Sequence, residues 1–364
     1  MSDRETALDE LEIAPLVGTV LAVQANFYRV QLDPQHPDIP AGVSRFLLCT
    51  RRSRLKKIGQ KVMVGDRAIV EEPDWEGGRG AISQVLPRTS ELDRPPIANV
   101  DRILLVFALV DPPLEPYQLS RFLVKAESTG LEVGLCLNKI DLVTPEVVDR
   151  WCDRLQKWGY DPQPIGVSSG FGLTELRRGL AGKITVVSGP SGVGKSSLID
   201  RLVPSVHLRT APVSGKLGRG RHTTRHVELF DLPDGGLLAD TPGFNQPDFN
   251  CEPSELVGYF PEARYPLSRG RCQFSNCLHR DEPNCVIARD WERYDHYVEF
   301  VNEAIARQEM LQQLGEKESN LKRKTTRAGK SEYEPKLASK KYRRQSRRWQ
   351  HQNLQELCED LEEV

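Results

Sequence analysis

One eight-residue segment restricts the fold of this 364-residue chain more than any other feature. Residues 189–196 read Gly-Pro-Ser-Gly-Val-Gly-Lys-Ser and match the pattern G-x-x-x-x-G-K-[ST] in full. They lie between an apolar run suited to a buried strand, Ile184–Ser188, and a stretch with helical spacing, Ser196–Val203. In such a unit backbone N–H groups cradle phosphates, the lysine reaches the β and γ oxygens, and the hydroxyl binds Mg²⁺. A chance glycine-rich turn is disfavoured because the motif and its flanks agree. The predicted nucleotide-binding residues here are Gly189, Pro190, Ser191, Gly192, Val193, Gly194, Lys195, Ser196 and Ser197.

A second motif indicates which base accompanies the phosphates. Asn138-Lys139-Ile140-Asp141 follows the apolar run Glu132–Leu137. A carboxylate at Asp141 can accept hydrogen bonds from the N1–H and the exocyclic amine of guanine, which adenine cannot offer. Taken alone, the motif could instead be a helix cap. After the next predicted strand, Ser168 and Ser169 precede Gly170 and supply small residues and backbone donors where a base edge would lie. Together these residues predict a guanine nucleotide.

Two further segments fit the Mg²⁺ and γ-phosphate side of the same site. Asp240-Thr-Pro-Gly243 lies 45 residues after Lys195, at the end of a predicted strand. Its aspartate can hold Mg²⁺ through water, and the Gly243 N–H can meet the γ-phosphate. Between the two motifs, a cationic loop contains His222, Thr223 and Thr224. Either threonine could complete the Mg²⁺ shell, and Thr224 is favoured. The predicted magnesium ligands are Ser196, Thr224 and Asp240.

The order of these motifs is unusual. In Ras-like GTPases the phosphate loop comes first and the guanine motif late, whereas here N-K-x-D and S-S-G precede the phosphate loop, H-T-T and D-T-P-G. The set is circularly permuted. It resembles the RsgA (YjeQ/EngC) family of GTPases, bacterial assembly factors of the small ribosomal subunit, over about residues 17–314. The resemblance implies GTP hydrolysis coupled to late maturation of that subunit, with contacts to ribosomal RNA from an N-terminal barrel and a zinc module.

The hydrophobic and charge patterns along the chain predict three folded parts and an extension. Five short apolar strands predict a small barrel with an OB-like fold, and an SH3-like barrel fits nearly as well. These strands are predicted at Val17–Val23, Phe27–Leu32, Phe46–Thr50, Val62–Val70 and Ala81–Val85. After Pro95 and Pro96, apolar strands alternate with amphipathic helices, as in a doubly wound α/β domain with a parallel sheet. The expected domains are 1–90 (barrel), 91–250 (permuted G domain), 251–314 (zinc module with a helix) and 315–364 (basic extension).

Four of the predicted metal ligands are concentrated in fourteen residues. Cys272, Cys277, His279 and Cys285 would give three thiolates and one imidazole, a tetrahedral Zn²⁺ set filled by protein and therefore structural. The alternative is three buried thiols beside a surface histidine. The spacing also matches the zinc module of the resembled family. Cys49, Cys136, Cys152, Cys251 and Cys358 have no such arrangement.

Charge is distributed unevenly along a chain whose net charge is only −1. Residues 316–348 contain 13 Lys or Arg against 4 Asp or Glu, and five cations lie within Arg51–Lys57. One such cluster could be a solvated face, but two favour an anionic polymer as partner. The Lys-, Arg-, Ser- and Gln-rich tail from Gly315 is expected to be disordered when unbound. The longest apolar run, Ile103–Val110, is far too short to cross a bilayer, and the acidic N-terminus has no secretory pattern, so a cytoplasmic protein is expected.

The sequence departs from Ras-like logic at one catalytic position. Phe244 follows D-T-P-G where those enzymes carry the glutamine that orients water, and a phenyl ring cannot do this. His222 is the best remaining candidate for that role, and a simple loop histidine is the alternative. We therefore expect slow intrinsic hydrolysis that a partner accelerates. The catalytic residues are predicted to be Lys195, Thr224 and His222. The protein is expected to be a monomer that binds GTP or GDP, and the family resemblance implies the small subunit and its RNA as partners. Rival interpretations are a P-loop kinase of a small metabolite and an RNA-binding scaffold that only senses GTP.

Overall fold

The structure is a computed structural model, and it describes residues 14–34, 36–93, 95–203, 227–240, 251–318, 321–325 and 331–335. The chain separates into two compact units, residues 1–301 and 302–364. Among the helices within these described ranges, none has the length and apolar character that crossing a membrane requires.

A closed five-stranded barrel forms the N-terminal part of the first unit. Its strands are β1 (Val17–Gln24), β2 (Phe27–Leu32), β3 (Phe46–Arg51), β4 (Arg67–Asp74) and β5 (Arg79–Val85), in the order β1-β2-β3-β5-β4. β1 also pairs with β4 and closes the ring, and β3 runs parallel to β5 while the other neighbours are antiparallel. This Greek-key order confirms the OB-like barrel over the SH3-like alternative.

The fourth barrel strand begins later than the sequence predicts. The apolar pattern predicts a strand over Val62–Val70, but β4 runs over Arg67–Asp74. The reason is the turn at Gly65, whose φ is +86° and where a Cβ atom would lie 2.0 Å from the carbonyl oxygen of Ala98. Only glycine tolerates that backbone conformation and approach, so the chain bends before β4 starts. The basic cluster after β3 forms a short helix, α1 (Ser53–Lys57), anchored by the buried Leu55.

The middle of the chain forms a six-stranded sheet. Two short strands, β6 (Glu91–Asp93) and β7 (Pro96–Ala98), form a hairpin that precedes it. The sheet strands are β8 (Arg102–Ala108), β9 (Glu132–Asn138), β10 (Pro162–Pro164), β11 (Ile184–Ser188), β12 (Leu229–Asp231) and β13 (Leu237–Asp240), in the order β10-β9-β8-β11-β13-β12. All neighbours are parallel except β12, which is antiparallel to β13.

Helices cover both faces of this sheet. They are α2 (Pro116–Glu127), α3 (Pro145–Lys157), α4 (Leu173–Leu180) and α5 (Lys195–Leu202). Successive side chains of β8 enter different cores because a strand alternates its faces. Leu104 and Val106 pack with α4 and α5, whereas Leu105 and Phe107 pack with α2 and α3. The doubly wound α/β domain is therefore confirmed.

Two strands of the sheet differ from expectation. The strand expected directly before Ser168 lies earlier, at Pro162–Pro164, because Gly166 already belongs to the turn that bonds back to Phe171. The antiparallel edge strand β12 was not predicted, since three residues are too few to show an alternating pattern.

The cysteine-rich part follows a short 3₁₀ turn (Leu256–Tyr259) and helix α6 (Pro261–Arg269), and it ends in helix α7 (Tyr294–Glu318). The helix expected with the zinc module is thus confirmed. Tyr297, Phe300 and Val301 are fully buried, and the Tyr297 ring packs edge-on against Phe260 with centroids 5.5 Å apart. Tyr297 and Phe300 of this helix therefore belong to the hydrophobic core.

The tail prediction needs correction for its first part. Helix α7 extends to Glu318, and β14 (Leu321–Thr325) pairs antiparallel with β15 (Ser331–Pro335) where disorder was expected. Lys322 is the register partner of Glu334, and Lys324 is the register partner of Glu332. Residues 336–364, which include Cys358, lie outside the described residues.

Candidate functional site

The phosphate-loop segment folds as a tight connection between β11 and α5. Gly189 has φ +143°, and a Cβ atom there would lie 2.1 Å from the carbonyl oxygen of Val106 on β8. Gly194 has φ +95°, and its Cβ would lie 2.5 Å from the side-chain nitrogen of Asn138. A side chain at either position would collide with fixed atoms, so the glycines are needed for the loop to pass this close to the sheet.

Lys195 is the first residue of α5, and its side chain lies over the loop. Its Nζ donates to the carbonyl oxygens of Gly189, at 2.8 Å, and Pro190, at 2.6 Å. Ser196 and Ser197 follow in the first turn and are exposed. The ammonium group, the hydroxyls and the N–H groups of the helix start thus lie together, as binding of a polyphosphate requires.

Asn138 joins the guanine motif to the phosphate loop. Its side chain is only 2% exposed, and its amide nitrogen donates to the carbonyl oxygen of Val193 at 2.7 Å. Its amide oxygen accepts from the backbone N–H of Val167 at 3.4 Å, next to Ser168. One buried amide therefore holds three separate motifs in place. The sequence places Asn138 in the guanine motif, but it contains no signal for the contacts of Asn138 with Val193 and Val167.

Asp141 and Ser169 approach each other from consecutive loops. Lys139 adopts a left-handed conformation, and Ile140–Leu142 form one 3₁₀ turn that begins directly after it. A Cβ atom at Gly166 would lie 2.9 Å from the Asp141 carboxylate and 2.3 Å from the Ser169 hydroxyl. Asp141, Ser168 and Ser169 are all exposed, so the base-reading groups predicted from sequence face solvent around one glycine. Lys139 also donates through Nζ to the carbonyl oxygen of Asp111, a contact with no sequence signal.

Parallel strands bring the remaining motif to the same edge. β9 ends at Asn138, β11 ends at Ser188 before the phosphate loop, and β13 ends at Asp240 opposite Val187. The carboxyl ends of these three strands form one edge, which is where ligands bind in open α/β sheets. The side chain of Asp240 and the predicted residues His222, Thr223, Thr224, Gly243 and Phe244 lie outside the described residues.

The four predicted zinc ligands converge. His279 Nδ1 lies 3.5 Å from Cys272 Sγ, 3.7 Å from Cys277 Sγ and 3.2 Å from Cys285 Sγ, and all four ligand atoms lie within 4.8 Å of one another. A tetrahedral Zn²⁺ with the usual Zn–S and Zn–N lengths separates its ligands by ~3.5–3.8 Å. Cys272 Sγ and Cys285 Sγ are 3.9 Å apart and unbonded. The donor set and spacing therefore fit structural zinc.

Second-layer contacts hold the zinc ligand loop. Glu282 accepts the N–H groups of Leu278 and Arg280, each at 2.8 Å. Although burial opposes it, these N–H groups lower the pKa of Glu282 to about 2. The Tyr297 hydroxyl donates to the carbonyl oxygen of Leu278 at 2.6 Å, so α7 supports the loop directly. Burial raises the pKa of the Cys277 thiol, so metal binding there displaces a proton.

A buried arginine, Arg293, connects the cysteine-rich part both to helix α6 and to aromatic rings of the α/β domain. The Arg293 guanidinium is fully buried and donates to Glu262 through Nε at 2.7 Å and a second nitrogen at 2.6 Å. It lies 4.8 Å from the Trp158 and Phe260 ring centroids and 5.5 Å from that of Tyr160. Trp158 and Tyr160 follow α3, and α3 begins just after the guanine motif. No sequence pattern announces this contact, because its partners are far apart along the chain.

Together, an OB-like barrel, a parallel sheet with a phosphate loop placed after the guanine motif, and a Cys₃His cluster define a circularly permuted P-loop GTPase fold. A family model described as RsgA GTPase matches residues 85–250. The chain is 63% identical over 362 residues to the small ribosomal subunit biogenesis GTPase RsgA of Trichormus variabilis, covering 95% of this chain and 98% of that relative. This chain belongs to the RsgA GTPase family.

Solved structures agree with this assignment. The crystal structure of YjeQ from Thermotoga maritima is 31% identical, with a TM-score of 0.66, and the match covers 80% of this chain and 98% of that one. YloQ, described as a circularly permuted GTPase, is 30% identical with a TM-score of 0.66 and matches 84% of this chain and 99% of its own. Both similarities extend well beyond the G domain alone.

Proposed function

We propose that this protein is a GTPase that binds the small ribosomal subunit, assists its late maturation and uses hydrolysis of GTP to GDP and phosphate to leave it. The observation that carries the proposal is a hydrogen bond of one buried side chain. Asn138 of the guanine motif donates to the carbonyl oxygen of Val193 and so joins that motif to the phosphate loop. The names of the relatives, small ribosomal subunit biogenesis GTPase, supply the ribosomal partner.

Each motif then has a specific task. Asp141 accepts from guanine, and Ser168 and Ser169 close around the base edge. Lys195 neutralises charge that develops on the β and γ oxygens, while backbone N–H groups of residues 191–197 hold the phosphates. Ser196, Thr224 and Asp240 would hold Mg²⁺, which would supply positive charge against the phosphates. His222 orients the attacking water in place of the absent glutamine, and Gly243 senses the γ-phosphate.

The barrel is proposed to contact ribosomal RNA through α1. Arg54, Lys56 and Lys57 are exposed on this helix. Arg51 donates to the carbonyl oxygen of Gln60, and Arg52 pairs with Glu72 at 2.6 Å, so these two cations also stabilise the barrel. Three exposed cations on one turn suit a phosphate backbone. The basic extension adds to this affinity. Because its proposed partner is the ribosomal subunit, the protein is proposed to act in the cytoplasm. It is proposed to act there as a monomer.

Each of the four domains predicted from the sequence has a proposed role. In this proposal residues 1–90 bind RNA, 91–250 hydrolyse GTP, 251–314 anchor through zinc and 315–364 extend the RNA contact. The metabolite-kinase interpretation is less well supported because the guanine set adjoins the phosphate loop. The scaffold interpretation predicts that bound GTP persists, so single-turnover hydrolysis of bound GTP distinguishes an enzyme from a sensor.

Co-sedimentation tests the partner and its dependence on nucleotide. The protein, loaded with a non-hydrolysable GTP analogue or with GDP, is centrifuged with purified small or large ribosomal subunits. We expect retention on small subunits with the analogue and weaker retention with GDP. Lys195→Ala serves as the control for nucleotide loading. Equal retention in both nucleotide states, or preference for the large subunit, would contradict the proposal.

A further inference from the structure

The barrel contacts the sheet at the strand that neighbours the end of β13. β12 is antiparallel to β13, with Leu229 opposite Ala239 and Asp231 opposite Leu237. Glu228 precedes Leu229 and Asp240 follows Ala239, so this register brings Glu228 to the strand end where Asp240 lies. Glu228 also comes four residues after Thr224 in the chain. A contact with Glu228 therefore acts at the strand end that carries one of the proposed Mg²⁺ ligands, Asp240.

Three polar contacts join the barrel to this strand. Ala22 on β1 forms a backbone bridge with Glu228. Arg29 on β2 pairs with the Glu228 carboxylate at 3.0 Å, and Gln31 donates to Asp231 at 2.8 Å. The Arg29 guanidinium also lies 5.1 Å from the Phe46 ring centroid, which orients it from the barrel side. Both ends of β12 are therefore held by neighbouring positions of one barrel strand.

A shared hydrophobic cluster lies in the same interface. Leu21 and Val64 of the barrel belong to one buried cluster with Leu229, Ala239 and Val186. Val186 is on β11, the strand that leads into the phosphate loop. Because close-packed interiors transmit displacement, a shift of the barrel strands is felt at β12 and β13.

We propose that Arg29 and Glu228 are positioning residues for GTP hydrolysis, through which the occupant of the barrel acts on the strand end at Asp240. This inference rests on the proposed function, because it assigns the route by which the small subunit accelerates hydrolysis. Neither residue touches the nucleotide in this account. Arg29 fixes Glu228, and the strand transmits that position to Asp240.

Charge reversal and its double swap test the pair. Glu228→Arg and Arg29→Glu each replace attraction by repulsion, and the double variant restores opposite charges. The matched control is Asp234→Arg, which lies in the turn of the same hairpin and pairs with Arg177 at 3.6 Å. The side chains of Asp234 and Glu228 are similarly exposed, at 52% and 40%. Because exposed pairs contribute little to stability, all variants should melt near the wild-type temperature.

The readout is GTP turnover against the concentration of small subunits. We expect each single reversal to lower the stimulated kcat about fivefold, the factor equivalent to an exposed pair of ordinary strength. GTP affinity and the subunit concentration for half-maximal rate should stay unchanged, which a general loss of structure would not permit. The double variant should recover most of the rate, and the control should match wild type.

The outcomes separate this inference from the proposed function. Wild type that small subunits do not stimulate would contradict the proposed function and remove the route with it. Stimulated wild type with equally stimulated single reversals would overturn the inference alone. Loss in the single variants without recovery in the double variant would also overturn it, because the effect would then not depend on the pair.

Discussion

Replacement of Arg293 by methionine should destabilise the packing of α6 and the cysteine-rich part against the α/β domain. The guanidinium is fully buried, and its carboxylate partner Glu262 has a side chain only 8% exposed. Arg293→Met removes the cation and leaves that carboxylate buried without its partner, which costs ~3–5 kcal/mol. Loss of the cation–π contacts adds up to ~2 kcal/mol, and the methionine side chain recovers part of this by packing among the rings. We expect the free energy of unfolding of Arg293→Met to be about 3–5 kcal/mol lower than that of wild type.

Urea unfolding monitored by tryptophan fluorescence measures this loss. Trp158 is a suitable reporter, since its ring centroid lies 4.8 Å from the Arg293 guanidinium carbon. The matched control is Arg289→Met, because Arg289 pairs at 3.1 Å with the exposed Asp281. That exposed pair should contribute no more than about 1 kcal/mol. Equal losses of unfolding free energy in the two arginine variants would show that burial does not make the Arg293–Glu262 pair more important than an exposed pair.

A double variant distinguishes the buried charge from lost packing. Arg293→Met combined with Glu262→Leu removes both charges, and a buried ion pair replaced by apolar groups is often close to neutral in stability. The double variant should therefore be more stable than Arg293→Met alone. If it is less stable, the cost comes from packing rather than from an uncompensated carboxylate.

Three further predictions concern the nucleotide and zinc sites. Lys195→Ala should weaken GTP binding by roughly 10–100-fold, since it removes a charge-assisted contact, and titration with a fluorescent analogue checks this. Asp141→Asn should shift preference from guanine to xanthine nucleotides, because an amide can donate where the carboxylate only accepts; competition between GTP and XTP measures the ratio. Glu282→Gln should destabilise the zinc loop at neutral pH. The folded pKa of Glu282 is lowered from 4.5 to about 2, so the contribution of the carboxylate is full above pH 4.5 and is lost as pH falls towards 2. Zinc-release titrations at pH 7, where the ligands are deprotonated and hold the metal, should therefore show weaker zinc retention by the variant than by wild type.

Local chemistry was predicted well from the sequence. The strand Ile184–Ser188 lies where its pattern indicates, and α5 begins at Lys195, one residue from the expected start. The four zinc ligands converge as their spacing predicts. In each case the signal is contained in a few neighbouring residues, so periodicity and ligand spacing suffice.

Long-range contacts were not predictable in the same way. The turn at Gly65 depends on a close approach to Ala98, and the edge strand β12 depends on its pairing with β13 and the barrel. Arg293 and Glu262 are separated by 31 residues, and no pattern marks them as partners. Such features arise from tertiary packing, which local propensity and hydrophobic periodicity do not encode.

In the proposed function, the guanine-reading site hydrolyses GTP in response to one partner, the small ribosomal subunit. The most direct test is hydrolysis of GTP and XTP by wild type and Asp141→Asn, with small subunits, large subunits or no subunits. We predict that small subunits stimulate wild type only with GTP and the variant only with XTP, while large subunits stimulate neither. A wild-type rate that small subunits leave unchanged, or a variant that keeps its stimulated GTP hydrolysis, would contradict the account.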